Sequence, residues 1–164
     1  LGARVATIIT DEGLKWFAQS WEDSAGLTTD YGGDVPDIVE CRWGEGGYET
    51  IGGVQVPRTP DPTLTNLDCV ENSSRYPVDS RYVYTLAPIP SGKVTRADNV
   101  VTVVCEIPLG DANNDGSGNS PEFWEAALFN SEGVMVAYST FNVQVKNNTR
   151  VLRKTWTLTV RRPS

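Results

Sequence analysis

The sequence predicts a mainly β chain: an antiparallel β-sandwich-like meander with one N-terminal α-helix and long loops. Three observations predict it. Near the C-terminus Trp156, Leu158 and Val160 alternate with Thr155, Thr157 and Thr159, the period of a strand with one buried face. Fifteen glycines and ten prolines punctuate the chain, which suits short strands separated by many turns. Clear helical spacing occurs at one place only, close to the N-terminus.

In chain order, Val5 to Ile9 is a short apolar run, and Thr10-Asp11-Glu12 after it reads as a helix start. Thr10 is the N-cap, the two acids face the positive end of the helix dipole, and Ile9 and Leu14 take the positions of a hydrophobic staple. Leu14, Phe17 and Trp21 continue at helical spacing until the break near Ser24-Ala25-Gly26. From Thr28 to Pro62 the Gly-Gly pairs and prolines predict loop, with Asp37 to Trp43 as the one strand. Tyr82 to Leu86, Val100 to Ile107, Phe123 to Phe129, Val134 to Phe141 and Arg153 to Val160 then read as strands. Asn130-Ser131-Glu132-Gly133 is the turn of a hairpin.

A chain of 164 residues is expected to form one domain, 1–164, with enough interior for a core. The net charge of −7 argues against nucleic acid as a partner, because a phosphate footprint needs clustered Lys and Arg. Three widely spaced cysteines, Cys41, Cys69 and Cys105, with no Cys-x-x-Cys, fit neither a disulfide scaffold nor a structural zinc site and read as free, partly buried thiols. No stretch approaches the run of about 18 apolar residues of a membrane span, and Leu1-Gly2-Ala3-Arg4 does not resemble a signal peptide. The expectation is assembly in a cytoplasm without membrane contact. There is no histidine, which removes Ser-His-Asp and Cys-His nucleophile activation together with the commonest metal ligand. The chain is therefore expected not to be an enzyme.

Three segments together resemble the N-terminal attachment domain of the phage tail-collar fibre protein family. Ile8-Ile9-Thr10-Asp11-Glu12-Gly13-Leu14 is similar to that family's strand and threonine-capped, glycine-leucine helix start. Glu125 through Tyr138 resembles its hairpin, in which a glutamate leads to a Gly-Leu-Phe-Asp-like turn and an apolar return strand; here Ala127 and Asn130 stand at the Gly and Asp positions. Thr155 to Val160 is similar to its closing strand. More loosely, Arg42-Trp43-Gly44-Glu45-Gly46 resembles a Gly-Asp-Gly turn, and Leu64-Thr65-Asn66-Leu67 the segment after it. The resemblance implies a structural protein of the virion tail, a fibre, collar or baseplate adaptor that attaches a neighbouring tail protein. It also implies a homo-oligomer, with trimers as the family's usual symmetry. The family's domain usually begins a long fibre, so the chain is either a separate docking subunit or part of a longer protein. Two competing readings are a host-glycan-binding module of a tail fibre and a capsid decoration or neck protein.

The candidate site residues fall in three groups. Asp111, Asn113, Asp115, Ser117, Asn119 and Glu122 match ligand positions 1, 3, 5, 7, 9 and 12 of an EF-hand-type calcium loop, with Gly116 at the sixth position where the loop must turn sharply. Against calcium as a cofactor, a strand precedes the loop, Gly118 and Pro121 are unusual in it, and Asn, Asp, Gly and Ser are ordinary turn formers. Among the carboxylates, Glu40, Glu45, Glu49, Asp61 and Asp68 lie in the loop-rich half, where a glycosidase-like pair would need only suitable separation; chance pairing among 21 acids is the simpler account. For a protein interface, Trp43 beside Gly44 and Gly46 reads as an exposed aromatic anchor. Arg150, Arg153, Lys154, Arg161 and Arg162 read as a basic edge that steers an acidic neighbour or simply discourages unwanted strand pairing. Trp16, Trp21, Trp124 and Trp156 read as core.

Overall fold

The structure, a computed structural model, describes residues 6–15, 38–97 and 100–159. It is mainly β, and every strand pairing is antiparallel. Ten strands are described: β1 (Ala6–Ile9), β2 (Ile38–Gly44), β3 (Tyr48–Ile51), β4 (Val54–Pro57), β5 (Val83–Leu86), β6 (Val94–Ala97), β7 (Val100–Ile107), β8 (Glu122–Asn130), β9 (Met135–Val145) and β10 (Leu152–Thr159). They form a five-stranded sheet in the order β1-β9-β8-β2-β5, a three-stranded sheet β10-β7-β6 and a two-stranded ribbon β3-β4.

The five-stranded sheet is covered on both faces, which explains why β8 is apolar almost throughout. One face shares a core with the three-stranded sheet: Cys41, Trp43, Phe123, Ala126 and Leu128 pack with Val103, Cys105, Ile107, Trp156 and Leu158. The other face carries a second core in which Tyr48, Leu67, Cys69 and Tyr76 lie over Trp124, Ala127, Phe129 and Tyr138. A strand between two apolar layers loses the polar alternation that an outer strand keeps. β10 keeps it: Leu152, Trp156 and Leu158 are buried, while Arg153, Thr155, Thr157 and Thr159 are exposed.

The helix expected after β1 begins where Thr10 sets it. Residues 11–15 are helical (α1), and the Gly13 N–H donates to Thr10 Oγ1 at 3.0 Å, an N-cap bond. The Thr10 hydroxyl in turn donates to the Met135 carbonyl, so the cap is anchored on β9. A Cβ on Gly13 would stand 2.2 Å from the Val136 carbonyl oxygen; this close approach is why glycine follows Asp-Glu here. Leu14 remains 53% exposed, so the staple with Ile9 does not bury it. Phe17, Trp21 and the expected break at Ser24-Ala25-Gly26 lie outside the described residues, as do Trp16 and Val160.

The β8-β9 hairpin has the expected turn. Gly133 N–H donates to the Asn130 carbonyl at 3.0 Å, and Gly133 takes a φ of +80° that suits glycine. The Asn130 side chain accepts from the N–H groups of Glu132 (3.0 Å) and Val134 (2.9 Å), which is what an Asx turn residue is for.

Three elements depart from the expectation. The loop expected up to Pro62 contains a hairpin, β3-β4, whose Gly52-Gly53 turn has φ of +59° and +83° at its two central residues, the requirement of a type I′ turn. β6 adds an edge to β7. A short helix, α2 (Asp68–Glu71), follows the segment Leu64-Thr65-Asn66-Leu67 and has no capping side chain of its own.

Candidate functional site

The loop 111–122 leaves β7 and returns into β8, and the fold clamps it with a lysine. Lys146, at the end of β9, is fully buried. Its ammonium donates to Asn113 Oδ1 (2.7 Å), the Asn147 carbonyl (2.8 Å) and, more weakly, the Leu109 carbonyl (3.4 Å), while its backbone N–H donates to the Pro121 carbonyl at 2.9 Å. Burial pulls the Lys146 pKa down, and the charge of Asp111 opposes that. Of the calcium-loop positions, Asn113 is thus engaged by an ammonium of the chain itself.

Asp111, Asp115 and Asn119 also have partners within the chain. Asp111 accepts from the Tyr84 hydroxyl at 2.7 Å; burial raises the phenol's pKa, and the bond to Asp111 adds to the rise. Asp115 accepts from the N–H groups of Ser117 (2.7 Å) and Asn119 (3.1 Å), which hold its carboxyl below its usual pKa. Gly116 and Gly118 take φ of +88° and +94°, and Asn114 Oδ1 receives both of their N–H groups. Glu122 opens β8. Among the described residues no three Asp, Glu or Cys side chains gather as a metal would require.

Beside this loop runs an open groove of about 300 Å³. Its walls include Glu45, Asp79, Asp115 and Glu122, with Tyr48 and Trp124 among the aromatics. Glu45 is fixed there by the N–H groups of Glu122 (2.9 Å, to Oε1) and Tyr82 (3.1 Å, to Oε2). Burial raises its pKa, the two N–H donors oppose that, and the nearby charges of Asp115 and Glu122 add to the rise.

Three of the other carboxylates weighed as a catalytic pair have partners of their own, and two of them, Asp61 and Asp68, line one cleft with Arg58, Arg75 and Tyr138. Glu40 pairs with Arg42, Glu49 lies on β3, and Asp61 accepts from the N–H and hydroxyl of Thr63 at 2.9 and 2.7 Å. Asp68 belongs to an interior cluster centred on Glu125, a residue that composition and spacing did not single out as buried. Glu125 is fully buried in β8. Its Oε2 accepts from the Asp68 N–H (2.7 Å) and the Tyr138 hydroxyl (2.6 Å), and Oε1 accepts from the Cys69 N–H (2.9 Å). Burial pushes the Glu125 pKa up against these donors. The carboxylate therefore caps α2 from another part of the chain, satisfying N–H groups that a helix start leaves without partners.

Around Glu125 the segment Arg42-Trp43-Gly44-Glu45-Gly46 wraps closely. A Cβ on Gly46 would lie 2.5 Å from the Cys69 nitrogen, and one on Gly44 would lie 2.7 Å from Glu125 Oε1. Asp68 is held by the Tyr76 hydroxyl, by Asn72 Nδ2 at 2.7 Å and by Arg75 at 3.1 Å. Donors meet the three carboxylates buried among the described residues, Glu45, Asp68 and Glu125, and together they tie α2 and the β2-β3 connection to the sheet. This is a structural strut.

Two interface expectations are corrected. Trp43 is 2% exposed and packs edge-on against Phe123 (6.1 Å between ring centres) and Phe141 (5.9 Å); it belongs to the core. Its glycine neighbours leave room for Glu125 and Cys69 instead of exposing the indole. Lys154 is not a rim charge. On β10 it has the parity of Leu152 and Trp156, so it points inward, donates to Ser139 Oγ at 2.7 Å and lies over the rings of Trp156 (4.9 Å) and Phe141 (5.2 Å). Arg153 is exposed and paired with Glu106 at 2.8 Å. Arg161 and Arg162 lie outside the described residues.

Burial lowers the Lys154 pKa from 10.5 to about 8. A lysine with a depressed folded-state pKa penalises the fold while charged, and the penalty fades as pH rises from about 8 towards 10.5, where the folded chain has lost its proton and the unfolded chain has not. Lys154→Met is expected to stabilise the chain by about 1–2 kcal/mol at neutral pH, discounting for partial exposure. Denaturant melts of both chains across that range should show the advantage shrinking as pH rises. Ser139 Oγ keeps the Thr7 hydroxyl as a donor at 3.0 Å.

Fold and site together define a mainly β protein whose buried carboxylates Glu45, Asp68 and Glu125 are held by hydrogen-bond donors of its own chain. No model of a known protein family matches the chain, and no curated protein and no solved structure does either.

Proposed function

We propose that this chain is a non-catalytic structural domain of a phage tail, a fibre, collar or baseplate adaptor that attaches a neighbouring tail protein through surface contacts. The observation that carries the reading is the meeting of the two segments most similar to the tail-collar attachment domain. β1 and its Thr10-capped helix start pair along β9, the return strand of the Glu125-to-Tyr138 hairpin, in the register Ile8↔Tyr138 and Ile9↔Ala137. Segments far apart in sequence thus form one packing unit, with Gly13 fitted against Val136.

A contact surface of the right kind is available at the β3-β4 ribbon. Its strands pair only with each other among the described residues. Its tip carries Ile51 and Val54, 61% and 62% exposed, on either side of two glycines with open space around them. Exposed aliphatic side chains on a projecting ribbon suit burial against a partner protein.

The Ile51→Ser/Val54→Ser chain tests this. We expect an unchanged melting temperature together with at least tenfold weaker incorporation into tails during in vitro assembly. Incorporation equal to that of the unaltered chain would remove the ribbon from the interface, and failure of the unaltered chain to join tails would remove the tail assignment.

A second reading, a host-glycan-binding domain, is favoured by the groove, whose carboxylates and aromatics suit sugar hydroxyls and ring faces. Glycan-array binding abolished by Asp79→Ala or Asp115→Ala would favour it over the first.

A further inference from the structure

We infer that Lys146 and Asn113 join in an amide cross-link, the lysine amine displacing ammonia from the asparagine carboxamide, which fastens the loop 111–122 to the end of β9. This inference is independent of the tail assignment. Lys146 is fully buried, and its Nζ stands 2.7 Å from Asn113 Oδ1, so the carbonyl carbon it attacks is the next atom along. Both partners are held in place. The Lys146 backbone N–H donates to the Pro121 carbonyl at 2.9 Å, and Asn113 Nδ2 donates to the Leu109 carbonyl at 2.7 Å. Lys146 Nζ also reaches that carbonyl, at 3.4 Å, so the nucleophile and the leaving nitrogen converge on one oxygen.

The surroundings single out this pair. Lys15 and Lys93 form ion pairs with Glu12 and Glu106, and Lys154 donates to the Ser139 hydroxyl. Among the described residues, Lys146 is the lysine that meets a side-chain amide. Holding an amine against the carbonyl it attacks replaces the encounter of two separate molecules. Burial strips water from that amine and shields the amide from hydrolysis. It also favours the neutral form of Lys146, against the charge of Asp111.

The chemistry is an acyl transfer with no change of oxidation state. Lys146 gives up one proton, and its lone pair attacks Asn113 Cγ to form a tetrahedral adduct. A second proton passes from Nζ to Nδ2, the Cγ–Nδ2 bond breaks, and the ammonia released takes up the first proton. One ammonium and one carboxamide thus become one secondary amide, which keeps the third Nζ proton, and one ammonium ion. The new bond closes a loop across 33 positions of sequence that contains the β8-β9 hairpin, and so restricts the unfolded chain as any covalent cross-link does.

The test is intact-mass measurement and peptide mapping of the full chain, purified folded and sampled over a long incubation, with a urea-unfolded sample in parallel. We expect the folded chain to become lighter by one ammonia and to yield a branched peptide joining Lys146 to Asn113, while the unfolded sample keeps its full mass. The linked chain should melt about 5–15 °C above the unlinked one. Lys146→Arg and Asn113→Ala chains should form no link. Because the unaltered chain carries the primary readout, the test stands even if a variant does not fold. A folded chain that keeps its full mass, with Lys146 and Asn113 recovered in separate peptides, would overturn the inference. So would ammonia loss without the branched peptide, which marks a succinimide, or a link that forms equally in urea.

Discussion

Replacing Glu125 with alanine is expected to destabilise the fold by about 4 kcal/mol, read as a lower midpoint in urea. The reason is the arrangement rather than the charge alone. The carboxylate takes three hydrogen bonds in a buried layer, two from the start of α2 and one from Tyr138. Alanine would leave the Asp68 and Cys69 N–H groups and the Tyr138 hydroxyl without this acceptor, each at a desolvation cost. It would also open space where Gly44, Gly46 and Gly47 approach the side chain most closely. Glu125→Gln should cost less, about 1–3 kcal/mol, because one of the two accepting atoms becomes a donor.

The pH dependence of the same site separates this account from simple packing. The folded-state pKa of Glu125 is raised by burial. A raised carboxylate pKa gives stability that is full below the ordinary value of 4.5 and is lost as pH climbs through the folded-state value. The Gln chain lacks that titration. The difference between the two chains should therefore be largest in acid and narrow towards neutrality. A difference that widened with rising pH would mean that the site favours the ionised form.

The second large effect is at Trp43. Trp43→Ala should cost about 4 kcal/mol, because it leaves a cavity bounded by Phe123 and Phe141 between the two sheets. Trp43→Phe should cost less than half as much. The indole N–H has no hydrogen-bond partner, so the smaller ring loses packing but no bond. If Trp43 were instead an exposed anchor, the alanine chain would melt normally and fail only in binding; circular dichroism melts distinguish the two directly.

Much of the β framework was legible because burial on one face writes a period of two. β7 runs over the residues its alternation marks, and β2, β5, β8, β9 and β10 differ from expectation mainly at their ends. The hairpin turn at Asn130 and Gly133 and the Thr10 cap were equally readable, since each is fixed by a local rule of backbone chemistry. The β3-β4 ribbon was missed for a physical reason. Gly52-Gly53 reads in sequence as loop punctuation, although Tyr48 to Ile51 and Val54 to Pro57 flank it as strands flank a type I′ turn.

The site was less legible because its chemistry is non-local. Nothing near α2 in the sequence caps it; the cap is Glu125, and only the oddity of a glutamate within Phe123-Trp124-Glu125-Ala126-Ala127-Leu128-Phe129 hinted at a buried charge. Lys154 could have been placed by parity with Leu152 and Trp156, but its neighbours Arg150 and Arg153 made it look like part of a surface patch. The regular spacing of Asp111 to Glu122 gave no sign of Lys146, which reaches that loop from the end of β9.

The proposed function requires that this chain work through surfaces it buries against tail proteins. Cryo-electron microscopy of phage particles assembled with the chain tests that most directly. The account predicts density for its five- and three-stranded sheets where a fibre meets the tail or baseplate, with Ile51 and Val54 against a neighbouring subunit. Its absence from the tail, or its location on the capsid, would contradict the account.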